Sequence, residues 1–548
     1  MKIHYLLLFP LTLGLSSCLI ESNQPKPSSG ENPLGLVTSG PARYLSKQTY
    51  DSLTPVQQFQ VANKLLGTLY KGISARDFFD MSAGFSNPRA KGVDVIGDAQ
   101  RALKEPMDRT EFSQRNTELQ HKYLSTYNSA TKTYAPREVR ETAYAAPLAI
   151  MHGLPLSKEH FAYWVAYLLT NNILFSPAGE MDSVFSEDVE RIYNTLADAI
   201  LHDRPIGDIV YDHMISQSNW RRFRSPEDNV REMMEIYLLR FRDDEVPRAA
   251  QACKNWFLTS DDEGYQLRIT SDVNDVPVPD VLDTNSIVTC YDFYRRIATH
   301  PALIPTMVAR AVDLMFPNYP TDQRAALVNS ITQSHPTRFD QIFASVVFSE
   351  EYLLHNARMK IYEENHMNYL ARMKHEPLPA NDKTTDYFVN LTGERTNNDA
   401  PTLRMMNQGA LYYKLGRLFG TPTDTLSVSY AHKALREQFR NYRGDVATNA
   451  NAKLSWFESL INNPEAIQLN DDDFLRYVFI NVTGRMPSTT EFDKLKALFG
   501  PTAKGGQGWL PLPTYKPLPN IDRISAMQNV ARSVFDYTSR LVEIYAYN

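Results

Sequence analysis

Cysteine is scarce in this chain, with three in 548 residues, at positions 18, 253 and 290. No Cys-x-x-Cys-His occurs, which excludes covalent haem attachment by that route. Long apolar runs are also missing. Beyond the N-terminus none approaches the roughly 20 residues that a membrane-spanning helix needs. There is no Gly-x-Ser-x-Gly nucleophile elbow and no phosphate loop closing on Gly-Lys-Ser/Thr. Lys504-Gly505-Gly506-Gln507-Gly508 lacks the following Ser or Thr and reads as loop. Excess positive charge is absent as well: 57 Lys and Arg face 63 Asp and Glu, a net charge of −6. That gives no reason to expect nucleic acid as a partner.

What is present is an ordinary globular composition, 43% hydrophobic and 22% charged, in a chain long enough for two or more domains. Proline is plentiful, at 33 residues. Its spread suggests capped, punctuated helices and ordered loops rather than one disordered tract.

The N-terminus carries the most specific functional signal. Met1-Lys2 opens with a positive charge, and Tyr5 to Leu15 forms a short apolar segment of the kind found in export signals. It ends in Leu15-Ser16-Ser17-Cys18, which resembles the bacterial lipobox, where the cysteine is lipidated and becomes the first mature residue. An ordinary secretory signal cleaved near Ser17 is the alternative. Several acyl chains on Cys18 would anchor stably, since each buried CH₂ contributes about 0.8 kcal/mol. Leu19 rather than Asp follows, which by the enterobacterial sorting rule points to the outer membrane, facing periplasm or cell surface. Glu21 to Arg43 is rich in Pro, Ser, Gly and Asn and reads as a flexible tether. Export would place Cys253 and Cys290 in a disulfide-permissive compartment. Either a bridge between them or two buried thiols fits the pattern.

The rest of the chain is expected to be mainly α: multi-helical, packed helix hairpins with long ordered loops, and room for one small β-hairpin near residues 262–285. The organisation expected is a signal peptide over 1–17, a lipidated Cys and tether over 18–45, a helical main domain over 46–375, and a C-terminal helical domain over 383–548. Arg338 to Lys374 reads as continuous helix. In the C-terminal part, Phe388 to Gly393 and Phe479 to Gly484 form a short repeat. Each ends a helix at glycine, the usual left-handed stop, and a new helix start follows. Two helix–turn–helix units result.

The clearest stretch is Ser225 to Leu258. Val230, Met233, Met234, Tyr237, Leu238 and Phe241 fall on one helical face. Ser225 can cap the start, with Pro226 in the first turn and Glu227 and Asp228 near the positive end of the helix dipole. After a polar break a second stripe runs through Val246, Ala249, Ala250, Cys253, Trp256 and Phe257. An antiparallel helix pair sharing one apolar seam is expected.

That pair resembles the signature of a large bacterial family of exported helical proteins, catalogued as domain of unknown function eighteen-hundred. The family pattern is Arg-Glu-Leu-x-Glu-Leu, followed by a helix Asp-Val-x-x-Ala-Ala-x-Ala-Leu-Thr-Gly-Trp. Here stand Arg231-Glu232-Met233-Met234-Glu235-Ile236, then Glu245-Val246-Pro247-Arg248-Ala249-Ala250-Gln251-Ala252-Cys253-Lys254-Asn255-Trp256. His300-Pro301 opening a helix with Arg310, and Phe339 to Tyr352, are similar to the family's closing half. The resemblance covers about residues 140–355 and implies an exported helical protein of divergent type. The family's upstream Trp-His-x-His-Phe stretch is replaced here by Phe161-Ala162-Tyr163-Trp164, its Asn before the Arg by Asp228, and its Thr-Gly by Lys254-Asn255. A polar site shared by the family would be incomplete here.

Candidate chemistry is thin. Glu363 and His366 form a Glu-x-x-His pair, and Glu351 and His355 lie one turn apart. A mononuclear metal site from these four is conceivable, but a solvated helix face is the stronger reading, and no metal or other cofactor is expected. Arg231, Glu232, Glu235 and His300 are the catalytic candidates, against a buried or interface ion pair tying the helices together. Arg221, Arg222 and Arg224 read as solvated surface, with contact to a lipid phosphate or an acidic glycan as the alternative. The expected function is a non-enzymatic, lipid-anchored component of the cell envelope, acting in interaction or assembly with other envelope proteins and held at the membrane by its N-terminal lipid. The alternative is an envelope hydrolase with an acidic and histidine site.

Overall fold

The computed structural model describes residues 34–108, 145–170, 186–223, 225–240, 242–261, 264–372 and 464–497, with shorter stretches within 110–136 and 499–547 and at 388. The signal segment, Cys18 and the first Asn-Leu-Thr-Gly unit lie outside the described residues. The fold is mainly α. Among the described residues the strands make four two-stranded antiparallel sheets: β1 (Ser125–Asn128) with β2 (Thr133–Pro136), β3 (Trp256–Asp261) with β4 (Gly264–Ile269), β5 (Arg358–Met359) with β8 (Ala546–Tyr547), and β6 (Phe499–Gly500) with β7 (Leu510–Pro511). None of the described helices is long and apolar enough to cross a membrane.

Helix α1 (Pro55–Thr68) starts on a capping box. The Thr54 hydroxyl accepts from the Gln57 N–H at 3.3 Å, and the Gln57 side chain accepts from the Thr54 N–H at 3.0 Å. Its far end is closed by α2 (Lys158–Leu168). There the Trp164 indole donates to the Thr68 carbonyl at 2.7 Å, and His160 Nε2 bonds the Leu69 carbonyl at 2.7 Å. Last-turn carbonyls that a helix leaves unpaired thus find side-chain donors. Helix α2 is buried on every side, as its encircling apolar residues predict.

Helix α3 (Gln217–Arg222) leads into α4 (Pro226–Leu238). The start of α4 is as expected: the Ser225 hydroxyl accepts from the Asp228 N–H at 3.2 Å, and Pro226 occupies the first turn. Leu239, at φ 51°, then turns the chain into α5 (Val246–Ala252). The second helix is shorter than its apolar stripe. It stops at Ala252, and Trp256 and Phe257 belong instead to β3, whose partner β4 supplies the competing backbone bonds. The hairpin lies at 256–269, so its first strand precedes the expected region at 262–285 and its second falls at the start of it. Cys253 and Cys290 are joined by a disulfide that ties the end of α5 to the first residue of α6 (Cys290–Ala298).

The segment from Arg338 to Lys374 is not one helix. Helix α7 (Phe339–Val347) is followed by a π-turn over Glu351–His355, then β5, then α8 (Tyr362–Arg372). The break serves two non-local bonds: β5 pairs with β8, and the Asn356 side chain donates to the Met315 carbonyl at 2.6 Å.

Two further expectations need correcting. The tether does not run to residue 45, because Leu34, Leu36, Val37, Ala42 and Leu45 are buried in the main core. Apolar side chains there outweigh the Pro, Ser and Gly that suggested a linker. Nor does the break at 375–383 separate two cores. Phe474, Tyr477 and Val478 of α9 (Asp471–Thr483) pack in one core with Phe59, Ala62, Phe78 and Phe85. Helix α9 ends at Gly484 with φ 80°, as its glycine stop predicts.

Candidate functional site

The sequence candidates separate in space. Arg231 is exposed and lies 3.8 Å from the still more exposed Asp243, so it forms neither a buried pair nor a pocket wall. Glu232 and Glu235 are half-buried, and the Glu235 backbone carbonyl accepts from Arg310 at 3.4 Å. Trp256, which ends the second segment of the quoted pattern, is buried against Trp220 and Tyr294.

The acid that organises this region is Glu245, which stands where the quoted pattern has Asp. Its side chain is fully buried. It takes Arg240 in a two-pronged bond, Arg242 at 3.0 Å and the Leu282 N–H at 3.4 Å. Arg240 also reaches both oxygens of Asp283, at 2.9 and 3.0 Å. These carboxylates raise the Arg240 guanidinium above its ordinary value, and Arg240 in turn holds Asp283 below the usual carboxylate range. Asp280, Leu282 and Asp283 all have φ between 50° and 58°. Such backbone costs free energy for a residue with a Cβ and persists where surrounding bonds over-determine it. Here the bonds to Glu245, Arg240 and Arg296 do so.

His300 sits beside this node. Desolvation, with Arg296 and Arg240 nearby, pushes its imidazole below the ordinary histidine value, so the ring is neutral at pH 7. Its Nδ1 accepts from the Ala302 N–H at 3.1 Å, which puts the proton on Nε2, facing Asp283 at 3.8 Å. Both ring nitrogens are therefore already directed by the fold. Arg221, expected at the surface, is buried, and its Nε donates to the Tyr265 carbonyl at 2.6 Å, tying α3 to the hairpin. The Arg-Arg-Phe-Arg run gives no sign of this; only the long-range partner does.

Of the four metal candidates, the three with described side chains, Glu351, His355 and Glu363, do not converge. The helix break after His355 puts them on different elements. Glu351 accepts from the Tyr319 hydroxyl at 2.6 Å, His355 is exposed, and Glu363 is buried and accepts from the Tyr167 hydroxyl at 2.5 Å. Burial raises the Glu363 carboxyl above the usual range. The His366 side chain lies outside the described residues. Among the described residues no three His, Cys, Asp or Glu side chains are grouped to hold a metal.

A second charged set, not foreseen from the sequence, lies inside the fold. Arg358 on β5 makes a bidentate pair with Glu364 at 2.8 and 2.6 Å and donates to the Tyr352 hydroxyl at 2.6 Å. Lys64 of α1 donates to the Asn356 carbonyl, and its amine is pushed down to about 7, first by desolvation and then by Arg358. Arg358 and Lys360 both lie against the Tyr547 ring, at 5.1 and 4.9 Å from its centre.

A cleft of about 450 Å³ opens where residues 80–91 meet the start of α9. Asp80, Lys91, Glu465 and Asp473 are among its lining residues. The Asp473 carboxylate is already engaged, by the Phe85 N–H at 2.9 Å, the Ser86 hydroxyl at 3.1 Å and the Asn470 amide at 2.8 Å.

Fold and site together define a mainly α protein with a disulfide-locked β-hairpin and two internal charge networks. No family model, no curated protein and no solved structure matches the chain. The likeness to the exported helical family therefore rests on the quoted residues alone.

Proposed function

We propose that this chain is a lipid-anchored helical protein of the bacterial cell envelope that acts as an interaction or assembly component. The observation that carries the reading is the Cys253–Cys290 disulfide. Beyond Cys18 these are the only cysteines in the sequence, and a structural disulfide belongs to an oxidising compartment. The lipobox-like Leu15 to Cys18 supplies the anchor for that location. The hydrolase alternative needs His300 free to move a substrate proton, and its nitrogens are already directed at the Ala302 N–H and Asp283. Cys18→Ala tests the reading. The variant is expected to leave the membrane fraction for the soluble one, with the wild-type chain oxidised at Cys253 and Cys290 on a non-reducing gel. A Cys18→Ala chain that stays with the membrane, or a wild-type chain with both thiols reduced, overturns it.

A further inference from the structure

Large apolar side chains that remain exposed among the described residues are Leu239, Phe257, Ile269, Val273, Val276 and Tyr291, at 41% to 69%. All fall between 239 and 291. Elsewhere the described surface keeps its large apolar residues covered. Scattered exposure needs no explanation, but clustered exposure marks an interaction site.

Phe257 faces the other side of the hairpin from Ile269, because Ile269 stands opposite Trp256 and side chains alternate along a strand. The face that Ile269, Val273, Val276 and Tyr291 belong to is held together. The Tyr291 ring meets Trp256 edge-on at 4.9 Å. The loop bearing Val273 and Val276 is fastened through Asn274, whose amide donates to the Gln251 and Val288 carbonyls, both at 3.0 Å. Lys254 adds an ion pair to Asp272 at 2.9 Å, and the disulfide locks the base. A surface ordered beforehand loses less entropy on binding.

Charge says what it receives. Residues 239–291 hold ten carboxylates and five cations, so this one segment carries nearly all of the chain's net charge of −6. Asp275 is exposed next to Val276 in the chain, and Asp272, paired with Lys254, precedes Val273. The net negative charge of the segment would repel an anionic lipid surface, and it would repel the same face of a second copy. We infer that this surface docks a protein segment presenting apolar side chains flanked by lysine or arginine. The inference deepens the interaction reading above and rests on it.

The test places a photo-crosslinking amino acid at position 276 in the full-length chain in its native envelope, with position 322 on an exposed helix as control. Cross-linked peptides are sequenced. The expected result is a yield at least fivefold above the control, with captured segments that are net positive and contain apolar residues. Asp275→Lys should then lower the yield severalfold while the unfolding midpoint stays unchanged. Capture of lipid, of a second copy or of an acidic segment, a yield equal to the control, or indifference to Asp275→Lys each overturns the inference. Failure of the anchor reading shows separately, in the fractionation of Cys18→Ala, which does not depend on what position 276 captures.

Discussion

Lys64 is a buried amine whose titration should be visible in the stability of the whole chain. It is 2% exposed, and desolvation together with Arg358 lowers it from 10.5 to about 7, against a smaller opposing pull from Glu364. Between those two pH values the unfolded chain carries a proton on this amine that the folded chain lacks. Linkage then makes stability rise with pH, by on the order of 1 kcal/mol per pH unit and several kcal/mol across the window. The contribution is present above pH 10.5, is lost as pH falls towards 7, and is flat below it. Lys64→Met keeps most of the volume and removes the titration. It also leaves the Asn356 carbonyl without its donor, which costs about 1–3 kcal/mol. At pH 10 the variant should therefore be the less stable protein. On lowering the pH to 7 the wild type loses stability that the variant keeps, so the gap should close and then reverse. Urea midpoints at pH 7, 8, 9 and 10, followed by far-ultraviolet circular dichroism, measure this as a difference, which cancels other titrating groups. A gap between variant and wild type that stays constant across these four conditions refutes the argument.

Cys253→Ser removes a crosslink between residues 37 apart, which in the chain-entropy model costs about 4 kcal/mol. Its urea midpoint should fall, and reduction of the wild type should give the same drop; coinciding midpoints for oxidised and reduced wild type would count against it. Gly67→Ala puts a methyl group into the Tyr547 hydroxyl and the Asn368 side-chain amide. Overpacking of this kind costs about 1–3 kcal/mol, and because Tyr547 lies on β8, limited proteolysis should release C-terminal peptides sooner. An unchanged cleavage rate at the C-terminus would show that Tyr547 yields without effect.

Local signals were legible in the sequence and long-range ones were not. Ser225 and Pro226 start α4 because cap chemistry acts within one turn, and Gly484 stops α9 for the same reason. The mainly α class follows from periodicity, and the alternation from Tyr265 to Thr270 left room for the hairpin's second strand but not its first. The break between α7 and α8 was hidden, since β5 exists only through β8, almost two hundred residues away. Trp256 fits the helical stripe of its predecessors, and what removes it from the helix is pairing with Ile269. Arg221 and Glu245 look like surface charges until their partners appear, Tyr265 for one and Arg240 with Arg242 for the other. The resemblance drew attention to Arg231, Glu232 and Glu235, while the fully buried acid of that signature is Glu245.

The largest consequence of these distant bonds concerns what counts as a domain here. Helix α1 is packed on two sides: Val61 and Leu65 belong to the main core, Phe59 and Ala62 to the core shared with α9. Polar bonds bind the same junction. The Asn481 side chain accepts from the Ala75 N–H at 2.8 Å, and Arg372 donates to the Ile480 carbonyl at 3.0 Å. A chain ending near residue 375 would bare one whole side of α1 and strand these buried groups, each costing about 1–3 kcal/mol. The Pro-rich stretch at 375–382 is thus a connection within one folded unit, since a boundary is set by which side chains share a core and not by where the composition turns polar.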